Sequence, residues 1–393
     1  MSKIDDLIQQ YCPDGVNFKP LGLVLCRTKG TKITARQMKE LHKENAPLKI
    51  FAGGKTVAFI DFEDIPEKDV HREPSIIVKS RGVIEFEYYD KPFSHKNEMW
   101  SYHSKDKNID IKFVYYFLKI HEPYFQNLGE KMQMPQIATP DTDKFPIPIP
   151  CPENPGKSLE IQREIVRILD NFTELTAELT AELTARKKQY NYYRDQLLTF
   201  EEEEVEWKSL GDVAEYSKTR ISFKHLDETN YVGVDNLLQN RAGKVESSYI
   251  PTSGNSTEYR DGDILIGNIR PYLKKIWHAD RAGGTNGDVL VIHITDQTVN
   301  SRYLYQVLAD DKFFEYNMQH AKGAKMPRGN KTKIMEYSIP VPSLTEQARI
   351  VTILDKFDTL TNSISEGLPR EIELRQKQYE YYRDKLLTFE EVS

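Results

Sequence analysis

"QYNYYRDQLLTF" (Gln189–Phe200) and "QYEYYRDKLLTF" (Gln378–Phe389) are nearly the same stretch, written twice in one chain. Ten of the twelve positions are identical, and the two copies are 189 residues apart in a chain of 393. An internal repeat with an offset of almost half the chain predicts two structural units with a common plan. Two such units in one polypeptide give an approximate internal two-fold, which is the geometry of a homodimer.

The repetition continues on both sides of this stretch. The matching pairs are "FKPLGLV" (Phe18–Val24) with "WKSLGDV" (Trp207–Val213), Met134-Pro135 with Met326-Pro327, Pro148 with Pro340, and "IQREIVRILDNFTELT" (Ile161–Thr176) with "EQARIVTILDKFDTLT" (Glu346–Thr361). Between the entry motif and the Met-Pro pair, each half contains a long region in which the two halves differ. These variable regions combine strand-like alternation, as in "SIIVKSRGVIEFEYY", with helix-like segments, and this combination predicts mixed α/β domains.

We therefore predict an α+β protein in which two mixed α/β domains are separated by two long antiparallel helices that form a coiled coil. The predicted boundaries are residues 1–150 for the first domain, 151–206 for the central helix, 207–342 for the second domain and 343–393 for the C-terminal helix. Each helix carries an apolar stripe at near-heptad spacing, and a stripe of this kind needs a partner. The other helix is the simplest partner within the chain.

A short tandem repeat occupies the middle of the central helix. The unit TAEL occurs twice in perfect form, at Thr176–Leu179 and Thr180–Leu183. Ala, Glu and Leu favour helix, and a leucine at every fourth position keeps one face apolar. Each unit adds about 6 Å of helix, so the tandem predicts a spacer of adjustable length. The C-terminal helix has Gly367 and Pro369 in the corresponding region, where we expect a kink or a break.

The composition is typical of a soluble globular protein, with 39% hydrophobic and 29% charged residues and no apolar run long enough to span a membrane. The N-terminus has acidic residues where a signal peptide requires an apolar core. The three cysteines form no C-x-x-C pair and indicate free thiols in a reducing cytoplasm. The net charge of −6 is unevenly distributed, because residues 17–150 carry +3 and residues 207–343 carry +2. The acidic excess therefore lies in the repeated segments.

The sequence contains no recognisable catalytic motif. "AGGKT" (Ala52–Thr56) is similar to the end of a phosphate-binding loop, but Lys49 stands where that pattern requires glycine, and a strand-like segment follows it. Zinc-protease, serine-hydrolase and dinucleotide-binding motifs are also absent from the sequence. We therefore predict a non-catalytic chain.

Basic and amide side chains cluster near the Met-Pro pair of each half. Lys and Arg contact phosphates, and Arg, Asn and Gln read base edges in bidentate geometry. The candidate DNA-binding residues are Lys79, Arg81, Lys91, Lys96, Asn97, Lys131, Gln133 and Gln136 in the first half, and Arg270, Lys274, Lys275, Lys322, Lys325, Arg328, Asn330 and Lys331 in the second. A basic cluster alone is more often a solvated face, but two clusters at matching positions of a duplicated frame favour binding.

With the duplicated frame, the TAEL tandem and the Met-Pro and Pro-rich exits, the chain resembles the specificity subunit of type I restriction-modification systems, and the TAEL units resemble those of the IC branch. "KIFAGGKTVAFI" is also similar to the glycine loop found early in the target-recognition domains of that family. The resemblance covers essentially the whole chain. It implies two target-recognition domains of inverted orientation, each reading one half of a bipartite, asymmetric site in double-stranded DNA. The helices would set the unread spacer.

The resemblance also implies partners. Two methyltransferase subunits would dock on the repeated segments, one per half, and restriction subunits would join the same core. The residues expected on the docking helices are Phe172, Leu175, Leu179, Leu183, Tyr190, Tyr193, Phe357, Leu360, Tyr379 and Tyr382. S-adenosylmethionine, ATP and Mg²⁺ are expected on those partners, and this chain is expected to hold no cofactor and no metal.

The alternative interpretation is a coiled-coil scaffold with two protein-binding domains. Protection of a specific DNA sequence in a salt-sensitive manner would distinguish the specificity subunit from such a scaffold. Both interpretations place the chain in the cytoplasm, away from any membrane.

Overall fold

The computed structural model describes residues 8, 10–12, 15–130, 134–363 and 366–391. The chain divides into two compact units. Unit 1 contains Met1–Glu174 and Gln376–Ser393, and unit 2 contains Leu175–Arg375. Each unit therefore combines one variable region with parts of both helical segments. The four-segment division made from the sequence follows the repeat rather than the contacts, and it stays a prediction.

The first variable region lies in unit 1 and is closed by a two-stranded ladder. β1 (Asn17–Pro20) pairs antiparallel with β9 (Pro146–Ile149), so the entry motif lies beside the Pro-rich exit. The elements between them are β2 (Cys26–Lys29), β3 (Leu48–Phe51), β4 (Val57–Ile60), β5 (Ser75–Lys79), β6 (Glu85–Tyr89), β7 (Phe93–His95) and β8 (Trp100–His103), with helices α1 (Leu21–Val24), α2 (Ala35–Leu41), α3 (Ile111–Ile120), α4 (Glu122–Gly129) and α5 (Thr139–Asp143). The strands form two sheets, β2-β8-β5-β6 and β4-β3-β7.

The central helix α6 (Pro155–Leu198) is continuous through the TAEL tandem. It begins at a proline, which is well tolerated in the first turn because its missing N–H has no helical partner there. Ile161, Ile165 and Leu169 are fully buried against the core of unit 1. The tandem continues this stripe as a half-buried face, and Thr180 donates back to the carbonyl of Thr176 at 2.7 Å.

The second variable region lies in unit 2 and is closed in the same way as the first. β10 (Glu206–Ser209) pairs antiparallel with β19 (Ser338–Val341). The elements between them are β11 (Ala214–Tyr216), β12 (Arg220–Ser222), β13 (Tyr231–Val232), β14 (Asn255–Tyr259), β15 (Ile264–Gly267), β16 (Ile276–His278), β17 (Gly283–Thr285) and β18 (Val289–Ile294), with helices α7 (Leu210–Val213), α8 (Ser301–Leu308), α9 (Asp311–Gln319) and α10 (Lys331–Met335). The sheets are β11-β18-β15-β16 and β12-β14-β17-β13.

The two variable regions share one four-stranded sheet although their sequences differ, whereas their second sheets have three strands in unit 1 and four in unit 2. The sheet β2-β8-β5-β6 corresponds strand by strand to β11-β18-β15-β16, and α3, α4 and α5 correspond to α8, α9 and α10. Ile76 and Ile266 lie on corresponding strands, and both are fully buried. A sheet core requires apolar residues at its inward positions but tolerates different ones, so the frame persists while the surface varies.

The C-terminal segment consists of two helices, α11 (Leu344–Asn362) and α12 (Gly367–Leu387). The predicted break is confirmed, because Gly367 begins α12 with a φ of 74° and Pro369 lies in its first turn. Phe172 on α6 stacks on Tyr382 in unit 1, and Tyr190 on α6 stacks on Phe357 in unit 2. Each unit therefore contains an aromatic stack between α6 and the C-terminal segment.

A buried glutamine near the start of each long helix holds the variable region of its own unit. Gln162 accepts a hydrogen bond from the backbone N–H of Asp110 at 2.8 Å, immediately before α3. Gln347 accepts one from Asn300 at 2.8 Å, immediately before α8. Both glutamine side chains are fully buried, and each also donates to a backbone carbonyl, Asn108 or Thr298.

About two helical turns further along each long helix, an aspartate makes a second attachment to the variable region. Asp170 accepts hydrogen bonds from Lys112 (2.8 Å) and Tyr116 (2.5 Å) on α3. Asp355 accepts from Arg302 (2.9 Å) and Gln306 (2.7 Å) on α8. The aspartate of each "ILD" therefore binds the long helix to the variable region. The two aspartates occupy the same position of the repeat but accept from different side chains.

The repeated ends complete the two cores. Tyr190 with Leu197, Leu198 and Phe200 packs against the apolar core of unit 2, and Leu386 and Leu387 with Tyr379 and Phe389 pack against that of unit 1. The backbone N–H of Val16 donates to the carbonyl of Glu390 at 2.8 Å. The first copy of the twelve-residue repeat (Gln189–Phe200) therefore adds apolar side chains to the core of unit 2. The second copy (Gln378–Phe389) adds them to the core of unit 1.

Candidate nucleic-acid interface

Two loops meet at the end of β5 in unit 1. The N–H of Gly82 donates to the carbonyl of Pro135 at 2.9 Å, and the N–H of Ile137 donates to that of Ser80 at 3.1 Å. This places two predicted residues together, since Nε of Arg81 donates to Oε1 of Gln136 at 2.7 Å. An Arg–Gln pair on an exposed loop offers donors and acceptors suited to base edges.

A basic groove of about 680 Å³ lies in the same unit. Its cationic lining residues are Arg27, Lys29, Lys32 and Lys68, and all four side chains reach solvent. Arg27 lies 3.5 Å from the carboxylate of Asp143, and Asp69 also lines the groove. The sequence analysis missed these cations, although the two lysines on either side of Gly30 in "TKGTK" (Thr28–Lys32) were a signal.

The floor of this groove is held by polar contacts to the Lys29–Lys32 loop. Asn97 presents its amide nitrogen to the carbonyls of Gly30 at 2.6 Å and Thr31 at 3.2 Å. His71 donates from Nε2 to the carbonyl of Lys29 at 3.0 Å. Burial lowers the pKa of His71, and it lowers the pKa of His95 beneath the loop to about 4, so both rings are neutral at pH 7. The Asn97 amide, a predicted DNA-binding group, donates to the backbone carbonyls of the loop.

Lys79, a predicted DNA-binding residue, does not face solvent in the structure. Its side chain is buried, and its ammonium lies 2.5 Å from Glu85 and 2.8 Å from Glu87 on the neighbouring strand. Burial opposes the charge, but the hydrogen bonds to both carboxylates raise the pKa of Lys79. A cation already neutralised in this way has no capacity left for a phosphate.

The remaining candidates of unit 1 are more scattered. Lys96 is half-buried and pairs with Glu98 at 2.6 Å, beside Asn97. Lys91 is exposed on the turn between β6 and β7, outside the loops that meet at Pro135. Lys131 and Gln133 fall outside the described residues.

Unit 2 brings corresponding loops together at the end of β15. The N–H of Arg270 donates to the carbonyl of Pro327 at 2.7 Å, and Lys322 and Arg328 exchange two backbone hydrogen bonds of 2.8 and 2.9 Å. The side chains of Arg270, Lys322, Lys325 and Arg328 are all exposed there, and Arg328 contacts Asp288 at 2.6 Å. Arg270 has a φ of 53°, a left-handed conformation that costs energy for a non-glycine residue and often occurs at functional sites.

Three other candidates of unit 2 have structural partners. Lys274 pairs with Asp311 at 2.7 Å, and burial lowers its pKa. Lys275 donates to the carbonyl of Val234 at 2.7 Å, and Asn330 caps α10 by accepting from Thr332 at 3.1 Å. Lys331, the next residue, is exposed, with its ammonium 6.0 Å from the ring centre of Tyr216.

Each unit thus presents exposed cations where the loop after an inner strand meets the Met-Pro segment, and unit 1 adds the amide of Gln136. The family model described as "Type I restriction modification DNA specificity domain" matches residues 31–186 and 202–374, which is most of the chain and one match per half. The chain belongs to the type I restriction-modification DNA specificity family. It is a specificity subunit, the component that recognises DNA.

A curated relative agrees with this assignment, and two solved structures have a similar fold. The specificity subunit is 42% identical over 301 residues to that of a type I restriction enzyme of Escherichia coli, covering 72% of each chain. Its fold is similar to a crystal structure of a type I restriction-modification S subunit from M. genitalium, with a TM-score of 0.61, 17% identity and 95% coverage of both chains. A chain from a structural study of type I system assembly also matches, with a TM-score of 0.53, 14% identity and coverage of 95% of this chain and 97% of that one.

The predicted docking residues of the specificity subunit lie mostly against its own chain. Phe172 and Tyr382 stack on each other, Tyr193 stacks on Phe357, and Tyr190 is buried. The half-buried members are Leu175, Leu179, Leu183, Leu360 and Tyr379. The sequence analysis missed the neighbouring tyrosines Tyr192 and Tyr381, which are 61% and 63% exposed at the same position of the two copies.

The described part of the specificity subunit shows no group of three His, Cys, Asp or Glu side chains that could hold a metal ion. None of the helices within the described ranges is long and apolar enough to cross a bilayer.

Proposed function

We propose that each unit of this specificity subunit reads one half of a bipartite, asymmetric DNA site. The carrying observation is that the four-stranded sheet common to both units brings loops together at corresponding junctions with different side chains. Arg81 and Gln136 lie at the junction in unit 1, whereas Arg270 and Arg328 lie at that in unit 2. The same frame with different contact residues suits two different half-sites.

The central helix sets the unread spacer in this proposal, and two methyltransferase subunits dock on the repeated segments. Restriction subunits join the assembled core. The methyltransferase subunits transfer the methyl group from S-adenosylmethionine, and the restriction subunits carry out ATP- and Mg²⁺-dependent cleavage. Both act with this chain on cytoplasmic DNA. The specificity subunit contributes binding, register and orientation.

The direct test is genome-wide adenine methylation in cells that carry this chain with its methyltransferase, compared with cells lacking only this chain. We expect a single new bipartite motif, which names both half-sites and the spacer. If the methyltransferase is expressed and assembled but no new motif is methylated, the result would favour the coiled-coil scaffold interpretation.

The basic groove of unit 1 predicts a sequence-independent share of the affinity. Replacing both Lys29 and Lys32 by glutamine should weaken binding to every duplex and reduce the slope of log K against log salt by about two. The measurement is a fluorescence-anisotropy salt titration of the complete methyltransferase complex. The matched control is the Lys39→Gln, Lys55→Gln variant, whose lysines are exposed on unit 1 but do not line the groove. Equal slopes for both variants would remove the groove from the interface.

The exposed tyrosines predict where the methyltransferase subunits bind. Tyr192→Ala and Tyr381→Ala should each weaken one of the two docking events by about tenfold or more, because aromatic anchors dominate interface energetics. Native mass spectrometry at limiting methyltransferase concentration should show complexes with one methyltransferase for each single variant. Tyr249→Ala, which removes an exposed tyrosine outside the repeated segments, is the control. Full two-subunit assembly of both variants at wild-type concentrations would contradict the proposal.

A further inference from the structure

Each unit exposes a methionine at the same place. Met134 is 62% exposed and Met326 is 50% exposed, although methionine is usually a buried residue. Each precedes a proline, which restricts the methionine backbone to extended conformations. We call residues 134–137 and 322–329 the Met-Pro loops of units 1 and 2.

The two Met-Pro loops are anchored by the same backbone hydrogen bonds. The carbonyls of Pro135 and Pro327 accept from Gly82 and Arg270, at 2.9 and 2.7 Å. In unit 2 the paired Lys322 and Arg328 close the loop, and Gly323 has a φ of 97° that suits glycine. The methionine therefore projects from a fixed base.

The surroundings of Met326 are cationic, and Met134 has one exposed cation beside it. Arg81 is exposed beside the loop of unit 1, and Arg270, Lys322 and Lys325 are exposed beside that of unit 2. A DNA duplex carries its phosphates on the outside and its stacked, largely apolar bases inside. An apolar methionine surrounded by cations is complementary to such a surface. The neighbouring cations would contact phosphate while the methionine contacts the bases.

Since both units carry this methionine while the charged and amide residues beside it differ, its role is common to both half-sites. A thioether is at most a weak acceptor and cannot read a pattern of donors and acceptors. Apolar side chains of this kind insert between base steps and partly unstack them in many DNA-binding proteins. We infer that each Met-Pro loop presses its methionine against a base step of its half-site, adding affinity without selecting base pairs. This inference rests on the proposed DNA-reading function.

The test uses the complete complex with methyltransferase subunits and compares Met326→Ala, Met326→Leu and the control Val245→Ala, an exposed apolar residue elsewhere in unit 2. Dissociation constants are measured on a duplex with the methylated motif and on an unrelated duplex. We expect Met326→Ala to bind both duplexes roughly tenfold more weakly, with leucine close to wild type. The methylated motif should stay the same, and 2-aminopurine placed through the half-site should report less unstacking.

Three outcomes would overturn the inference: unchanged affinity on both duplexes, a changed methylated motif, or loss of methyltransferase subunits from the complex. The last would assign the Met-Pro loop to a protein contact. Met134→Ala repeats the experiment on the other half-site. A wild-type complex that protects no specific sequence would instead sink the proposed function itself, so the two failures are distinguishable.

Discussion

A third TAEL unit inserted after Leu183 will lengthen the spacer of the recognised DNA site by one or two base pairs and leave both half-sites unchanged. The helix α6 is continuous through the tandem, so four more residues extend it by about 6 Å and rotate its end by roughly 40°. One base pair rises about 3.4 Å and turns by roughly 35°, so the change is commensurate with the duplex. Methylation sequencing of cells carrying the inserted variant measures the new motif.

The control for this insertion changes the tandem without changing its length. Thr180→Ala and Thr184→Ala remove two side-chain bonds to preceding carbonyls but keep every helical residue, so the motif should stay that of the wild type. Deletion of one TAEL unit should shorten the spacer correspondingly. A variant whose half-sites change, or whose spacer does not, would show that the helix is not the ruler.

Gln347→Leu will lower the stability of unit 2 by about 3 kcal/mol or more, because it leaves buried polar groups without partners. The side-chain amide joins the N–H of Asn300 with the carbonyls of Thr298 and Pro342, all at 2.8 Å. Leucine keeps the volume but satisfies none of these groups. For a unit of this size the midpoint of thermal unfolding should fall by about 6–12 °C in calorimetry.

The corresponding change in unit 1 serves as an internal comparison. Gln162→Leu also removes the bond from the Asp110 N–H, but its bond to the Asn108 carbonyl is longer, at 3.2 Å, and its third partner is the Ser158 hydroxyl rather than a carbonyl. We therefore expect a smaller loss in unit 1 than in unit 2. Gln376→Leu, at an exposed position of α12, should leave both transitions in place. An unchanged midpoint for Gln347→Leu would show that the hydrogen bonds of the buried glutamine contribute little to the stability of unit 2.

Much of the frame was predictable because repetition and apolar periodicity are local signals. The "QY" stretches, the apolar stripe and the helix break before Gly367 can all be identified within short windows of sequence. The four-stranded sheet that the variable regions share was not predictable, since it depends on strand order and different apolar residues satisfy the same inward positions. The "ILD" aspartates were visible as a repeat, but their partners Lys112 and Arg302 lie on distant helices.

The candidate interface was predictable only in part, and Lys79 and Lys29 show the reason. Both are lysines in strand-like sequence, yet Lys79 is buried between two glutamates and Lys29 faces a groove. Whether a cation is free depends on which carboxylates the fold places within about 4 Å of it. Sequence locates charges along the chain, whereas their pairing is a property of packed strands.

By itself, the sequence determined that the chain has two units of one plan, long helices with an apolar stripe, and a tandem repeat within the first of these helices. Those features follow from period and repetition, which the chain carries locally. Only the tertiary structure decided that the variable regions share a sheet order, that Arg81 meets Gln136, and that Arg270 meets the loop of Met326. The physical reason is that loops distant in sequence become neighbours only when the strands before them pair, and the pairing energy comes from the whole core.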